Sequence, residues 1–204
     1  MDEERYRDQF EVNEEEIAEK WSIIQSAFKV PDVEDRYENE EWPCFPAQIF
    51  RKSCNLALLG EDFFVTEYLF NKFRGFLDRI DEKNFLILDL PGSVEGSSYE
   101  LFSYPTNINW TLLSDDNSAA LAEVLSVLDH YVIGESGRWG MCWVEPWAVY
   151  VVGYKDRDVL QALQTTYDFE GRGAEVVDPL PKEREAKRLH EIADEIRVQE
   201  SAVE

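Results

Sequence analysis

Apolar residues return at helical spacing in several stretches of the chain. Ile17, Trp21, Ile24 and Phe28 recur at steps of four, three and four, which predicts a helix over 13–28 with these residues facing the core. Asn13 is placed to cap it and Glu16 to complete a capping box, while Glu14, Glu15 and Glu16 occupy the first turn, where the helix dipole favours negative charge. Leu69, Phe70, Phe73, Phe76, Leu77 and Ile80 mark a second helix over 61–80. Leu121, Val124, Leu125 and Leu128 mark a third over 117–131, stopped at Gly134. Val159, Leu160 and Leu163 mark a fourth over 156–166, with Asp156 as its cap. The stretch 47–59, AQIFRKSCNLALL, fits either period and is read as helix.

Shorter runs carry strand character. Residues 85–90 (FLILDL) end at Pro91-Gly92, and 99–104 follow after a Gly- and Ser-rich connection, so the two are read as a hairpin. Residues 139–144 and 147–154 flank Glu145-Pro146 and are rich in aromatic and β-branched residues, a second hairpin. Alternation places Trp139, Met141 and Trp143 on one face and Gly140, Cys142 and Val144 on the other. Hairpins separated by helices predict an α+β domain: an antiparallel sheet of about four strands packed against several helices. That domain is expected over 1–177, with 178–204 a charged helical tail whose apolar positions are Leu189, Ile192 and Ile196.

A chain of 204 residues is about one domain long, and 44% hydrophobic content is ample for a core. Charge alters the picture more: 20 basic against 43 acidic residues give −23, which disfavours nucleic acid and anionic membranes as partners. The acids concentrate in 30–42, VPDVEDRYENEEW, where six stand against Arg36 alone for a net −5; Pro31, Pro43 and Pro46 bracket a surface loop near 30–46. No apolar run approaches the roughly 20 residues that span a bilayer, and the acidic N-terminus lacks a secretory pattern. With three cysteines at long spacings, a reduced cytoplasmic setting is expected.

Candidate chemistry is thin. His130 and His190 are the only histidines and lack metal-ligand spacing, so both are read as structural or surface residues. Cys44, Cys54 and Cys142 are read as packed thiols, and GESGRWG at 134–140 and GSVEGSS at 92–98 match no phosphate-loop pattern. Carboxylate pairs such as Asp115-Asp116 and Asp78-Asp81 follow from acidic composition, and no metal, cofactor or catalytic residue is assigned. Trp139, Trp143 and Trp147, with Trp110, are read as core, an exposed aromatic patch being the alternative.

The remaining candidate is the acidic loop. Asp32, Glu34, Asp35, Glu38, Glu40 and Glu41 would steer a basic partner, with Tyr37 and Trp42 as apolar contacts. In size and acidity, though in no motif, the chain is similar to acidic bacterial immunity proteins. It is expected to sequester or inhibit a basic protein such as a nuclease-like toxin. The alternatives are a regulatory or scaffolding module docking through its C-terminal helix, and a hydrolase with a dispersed carboxylate site.

Overall fold

The computed structural model describes residues 10–28, 50–51, 53–59, 66–89, 100–110, 131–144 and 149–167. They form an α+β fold of one antiparallel sheet with helices on both faces. The strands are β1 (Asn55–Leu59), β2 (Asn84–Asp89), β3 (Glu100–Pro105), β4 (Tyr131–Gly134), β5 (Trp139–Val144) and β6 (Val149–Tyr154). Their order across the sheet is β1-β6-β5-β4-β2-β3. The helices among the described residues are α1 (Glu14–Ala27), α2 (Glu67–Arg79) and α3 (Arg157–Tyr167). No helix among the described residues is long and apolar enough to cross a membrane.

The sheet has six strands where about four were expected, and one of the two additions, β1, corrects a helical reading. β1 comes from the ambiguous 47–59 stretch; β4 begins at Tyr131, the last residue of the helix expected over 117–131, and the other residues of that helix lie outside the described ones. Both strands are covered on each side. Leu56 faces one core cluster while Ala57 and Leu59 face the other, and all four residues of β4 are buried. Strands packed on both faces lose their polar alternation and read as plain apolar runs. The two expected hairpins are present, pairing Phe85 with Tyr104 and Trp143 with Tyr150. The N-terminal segment adds to the outer edge of β3 through a bridge between Glu11 and Phe102 and a bond from Val12 N–H to Leu101 C=O (2.9 Å).

Side chains alternate between two cores, as the pleat requires. On one face Phe85, Ile87, Tyr104, Trp139, Met141 and Tyr150 meet Phe70, Phe73, Phe76 and Leu77 of α2 and Val159 and Leu163 of α3. Trp139 is fully buried and meets Phe76 edge-on at 5.2 Å, so it belongs to the core and not to an exposed patch. On the other face Leu86, Leu88, Tyr131, Ile133, Cys142 and Val151 meet Ile24, Ala27 and Phe28 at the end of α1.

Helix ends follow local chemistry. Asn13 Oδ1 accepts from the Glu15 and Glu16 N–H groups (3.1 Å each), and its amide donates to the Glu16 carboxylate, a side-chain version of the expected box. Only the second half of α1 packs: Ile24 and Phe28 are buried, whereas Ile17 is 43% exposed, contrary to its expected core position. In α2 Thr66 caps by accepting from Leu69 N–H (3.2 Å). The helix ends in a Schellman turn, Glu82 N–H bonding to Leu77 C=O and Asp81 N–H to Asp78 C=O, with Asp81 left-handed at φ 57°. Asp156 caps α3 as expected, accepting from Val159 N–H (3.0 Å). The expected 178–204 tail lies outside the described residues.

Candidate functional site

The predicted partner-binding residues, Asp32, Glu34, Asp35, Tyr37, Glu38, Glu40, Glu41 and Trp42, all lie outside the described residues. What the structure gives is the pair of stems from which their segment leaves and returns. Phe28, the C-cap of α1, and Phe50 form an antiparallel β-bridge, which sets their α-carbons about 5 Å apart. Their rings lie 4.9 Å apart, and Phe28 packs at the same distance on Tyr131. Arg51 reinforces the junction: its N–H donates to Ala27 C=O (2.7 Å) and its Nε to Gln25 C=O (3.0 Å) and Phe28 C=O (3.1 Å).

Beneath the two rings stand two glycines that pair across β5 and β6, Gly140 opposite Gly153. A Cβ at Gly140 would stand 2.6 Å from Phe28 Cζ, and one at Gly153 would overlap the Phe50 ring. Missing side chains on neighbouring strands thus make a shallow seat for two phenyl groups on an otherwise filled sheet. Closing a 21-residue loop costs on the order of 3 kcal/mol of chain entropy. Here the seated rings and the Arg51 bonds offset that cost within the fold itself.

A polar cluster occupies the end of the sheet where β4 turns into β5. Gly137 N–H bonds to Gly134 C=O (2.9 Å) and Gly137 takes φ 64°, a tight turn followed by a left-handed glycine. Glu82, only 6% exposed, enters this turn from the end of α2. It accepts from Ser136 N–H (3.0 Å), Ser136 Oγ (2.7 Å) and Trp139 Nε1 (3.0 Å). Glu135 accepts from Lys20 of α1, from Asn84 (2.9 Å) and from Ser103 (3.0 Å). Burial pushes the Glu135 carboxyl up, but the Lys20, Asn84 and Ser103 donors outweigh it and leave it below the ordinary range. Arg138 grips Asp156 with Nε (2.7 Å) and Nη2 (3.0 Å) and donates to Ile80 C=O (3.3 Å). That guanidinium holds the Asp156 carboxyl below its usual value against partial burial.

These groups brace the turn against α1, α2 and α3. A cleft of about 560 Å³ lies beside them, lined by Arg79, Ile80, Asp81, Arg138, Asp158, Gln161, Ala162 and Thr165. Two of its charges are already engaged, Arg138 by Asp156 and Asp81 by Lys83. Sequence reasoning missed this cluster because Glu82 meets its donors 54 and 57 residues further on. Its trace in the sequence is the GESGRWG turn, which was set aside because it matches no phosphate-loop pattern.

Much of the basic complement of the described residues is engaged within the chain. Lys20, Lys83 and Arg138 pair with carboxylates, Arg51 and Arg74 donate to backbone carbonyls, and Lys155 donates to Ser26. By contrast Glu15, Glu16 and Glu19 on α1 are exposed. Cys54 and Cys142 are buried, and burial, only partly offset by Lys155 and Ser53, pushes the Cys54 thiol up. Cys44, His130, His190 and Trp147 lie outside the described residues, and Trp110 packs on Phe70 at 5.5 Å. Among the described residues no group of His, Cys, Asp and Glu is arranged to hold a metal ion. No protein-family model, curated protein or solved structure matches this chain.

Proposed function

We propose that the protein is an acidic binding module that sequesters or inhibits a basic protein partner, in the manner of an immunity protein facing a nuclease-like toxin. The observation that carries this reading is the clasp between Phe28 and Phe50, which brings together the two ends of the most acidic segment of the sequence. Long loops with close ends on a rigid scaffold are a common vehicle of recognition. Asp32, Glu34, Asp35, Glu38, Glu40 and Glu41 steer the partner and take the place of phosphate against its Lys and Arg side chains, with Tyr37 and Trp42 as apolar contacts. The pairing of Lys20 and Arg138 with Glu135 and Asp156 leaves less positive charge to oppose them.

The test is capture from lysate of the source organism at low and near-physiological salt, with the parent chain and with a chain carrying the six acids as amides. A basic protein held near stoichiometry by the parent and lost both with salt and by the neutralised chain supports the reading. Equal retention by both chains overturns it.

A further inference from the structure

The geometry points to a ligand site for a small zwitterion, an apolar amino acid, in the cleft between the end of α2 and the exposed side of α3. This site stands apart from the segment proposed above to meet a basic protein and does not depend on that reading. The cleft measures about 560 Å³, within the range of small-molecule pockets. Its α3 wall is Asp158, Gln161, Ala162 and Thr165, at spacings that put all four on one face of the helix. The other wall is the last turn of α2 and the turn that ends it, with Arg79, Ile80 and Asp81, and Arg138 completes the lining.

The charges select the ligand. Among the described residues the side chains of Arg79 and Asp158, both exposed, make no hydrogen bond or ion pair, whereas Asp81 and Arg138 are each held by an opposite charge. Arg138 spends three of its five N–H groups on Asp156 and the Ile80 carbonyl and keeps two. Arg79 and those two N–H groups are the donors a carboxylate needs. Asp158 is the acceptor an ammonium needs, together with Thr165 Oγ1, which donates to Gln161 C=O (2.7 Å) and keeps its lone pairs. Ile80 and Ala162, both buried, give the same cleft an apolar floor for a hydrocarbon side chain. A chain of net charge −23 repels a simple anion and draws cations to its whole surface, while a ligand carrying both signs is satisfied only where both are offered.

L-Leucine is the probe, beside isoamylamine, which lacks its carboxylate, and isocaproate, which lacks its ammonium. Binding to the full-length chain is followed through the amide NMR shifts of residues 79–81, 138 and 158–165. Leucine is expected to saturate these shifts with a Kd on the order of 1 mM, and each analogue to bind about tenfold more weakly. Arg79→Gln and Asp158→Asn alter exposed side chains, and unchanged amide shifts in β2 and β4 show that the fold is kept. Each variant is expected to weaken leucine about tenfold, while Arg79→Gln leaves isoamylamine and Asp158→Asn leaves isocaproate as in the parent, a split that a merely loosened cleft does not give. The absence of shifts at these amides with about 10 mM leucine overturns the proposal. So does equal binding of leucine and the two analogues, or undiminished leucine binding by both variants.

Discussion

The indole Nε1 of Trp139 donates to the carboxylate of Glu82 at 3.0 Å, joining the start of β5 to the end of α2 in the interior. The same carboxylate holds Ser136 through both N–H and Oγ, so donors face both of its oxygens. Glu82→Gln must turn an amide N–H toward at least one of those donors. We expect a loss of about 1–3 kcal/mol, the cost of a buried polar group left facing the wrong partner. Urea unfolding at neutral pH measures it, and a change under about 0.5 kcal/mol would reduce the pairing to an incidental contact.

Gly134→Ala and Gly75→Ala are the same chemical change with opposite expected signs. A Cβ at Gly134 would overlap the Glu82 carboxylate and the Trp139 ring, whereas one at Gly75 in α2 meets nothing within 4 Å. Gly134→Ala is expected to destabilise by about 1–3 kcal/mol through overpacking. Gly75→Ala is expected to stabilise by about 0.5–1 kcal/mol by removing a helix-interior glycine. Thermal melts of the two variants beside the parent decide both.

Acid should loosen the sheet end that carries the β4–β5 turn. The Glu135 and Asp156 carboxyls are held below their ordinary values, so each contributes stability that is present above about pH 4–5 and lost as pH falls through the lowered folded value. Glu135→Gln is expected to lower the melting temperature at pH 7 and to flatten its decline between about pH 5 and 2. A parallel acid limb in variant and parent would remove Glu135 from the account.

The cap of α1 gives a smaller effect. Asn13→Ala removes the acceptor for the Glu15 and Glu16 N–H groups and is expected to cost about 1 kcal/mol. Asn13→Asp retains the acceptor but loses the amide donated to Glu16 and places a second carboxylate beside it, so it should restore only part of the loss. Chemical denaturation of the three chains gives the order.

Much of this was legible from short-range pattern. Asn13, Asp156 and the alternation of 139–144 act within a few residues, and the elements they predict are present. β1 was misread and β4 missed because burial on both faces erased the alternation that marks a strand. The Glu82 cluster and the Phe28–Phe50 clasp depend on residues brought together only by the sheet. A turn confined to Glu145-Pro146 would have set Gly140 opposite Val151; the pairing of Val144 with Val149 instead sets it opposite Gly153.

The bridge between Glu11 and Phe102 reaches beyond local packing. An outermost strand offers its free N–H and C=O groups as a template on which a neighbouring molecule can grow more sheet. Through Glu11 and Val12 the chain covers part of the β3 margin with its own backbone. Trimming the protein to begin at Asn13 would uncover that margin, so a shortened form should be the more prone to self-associate in storage, and a purification handle is better placed away from this end.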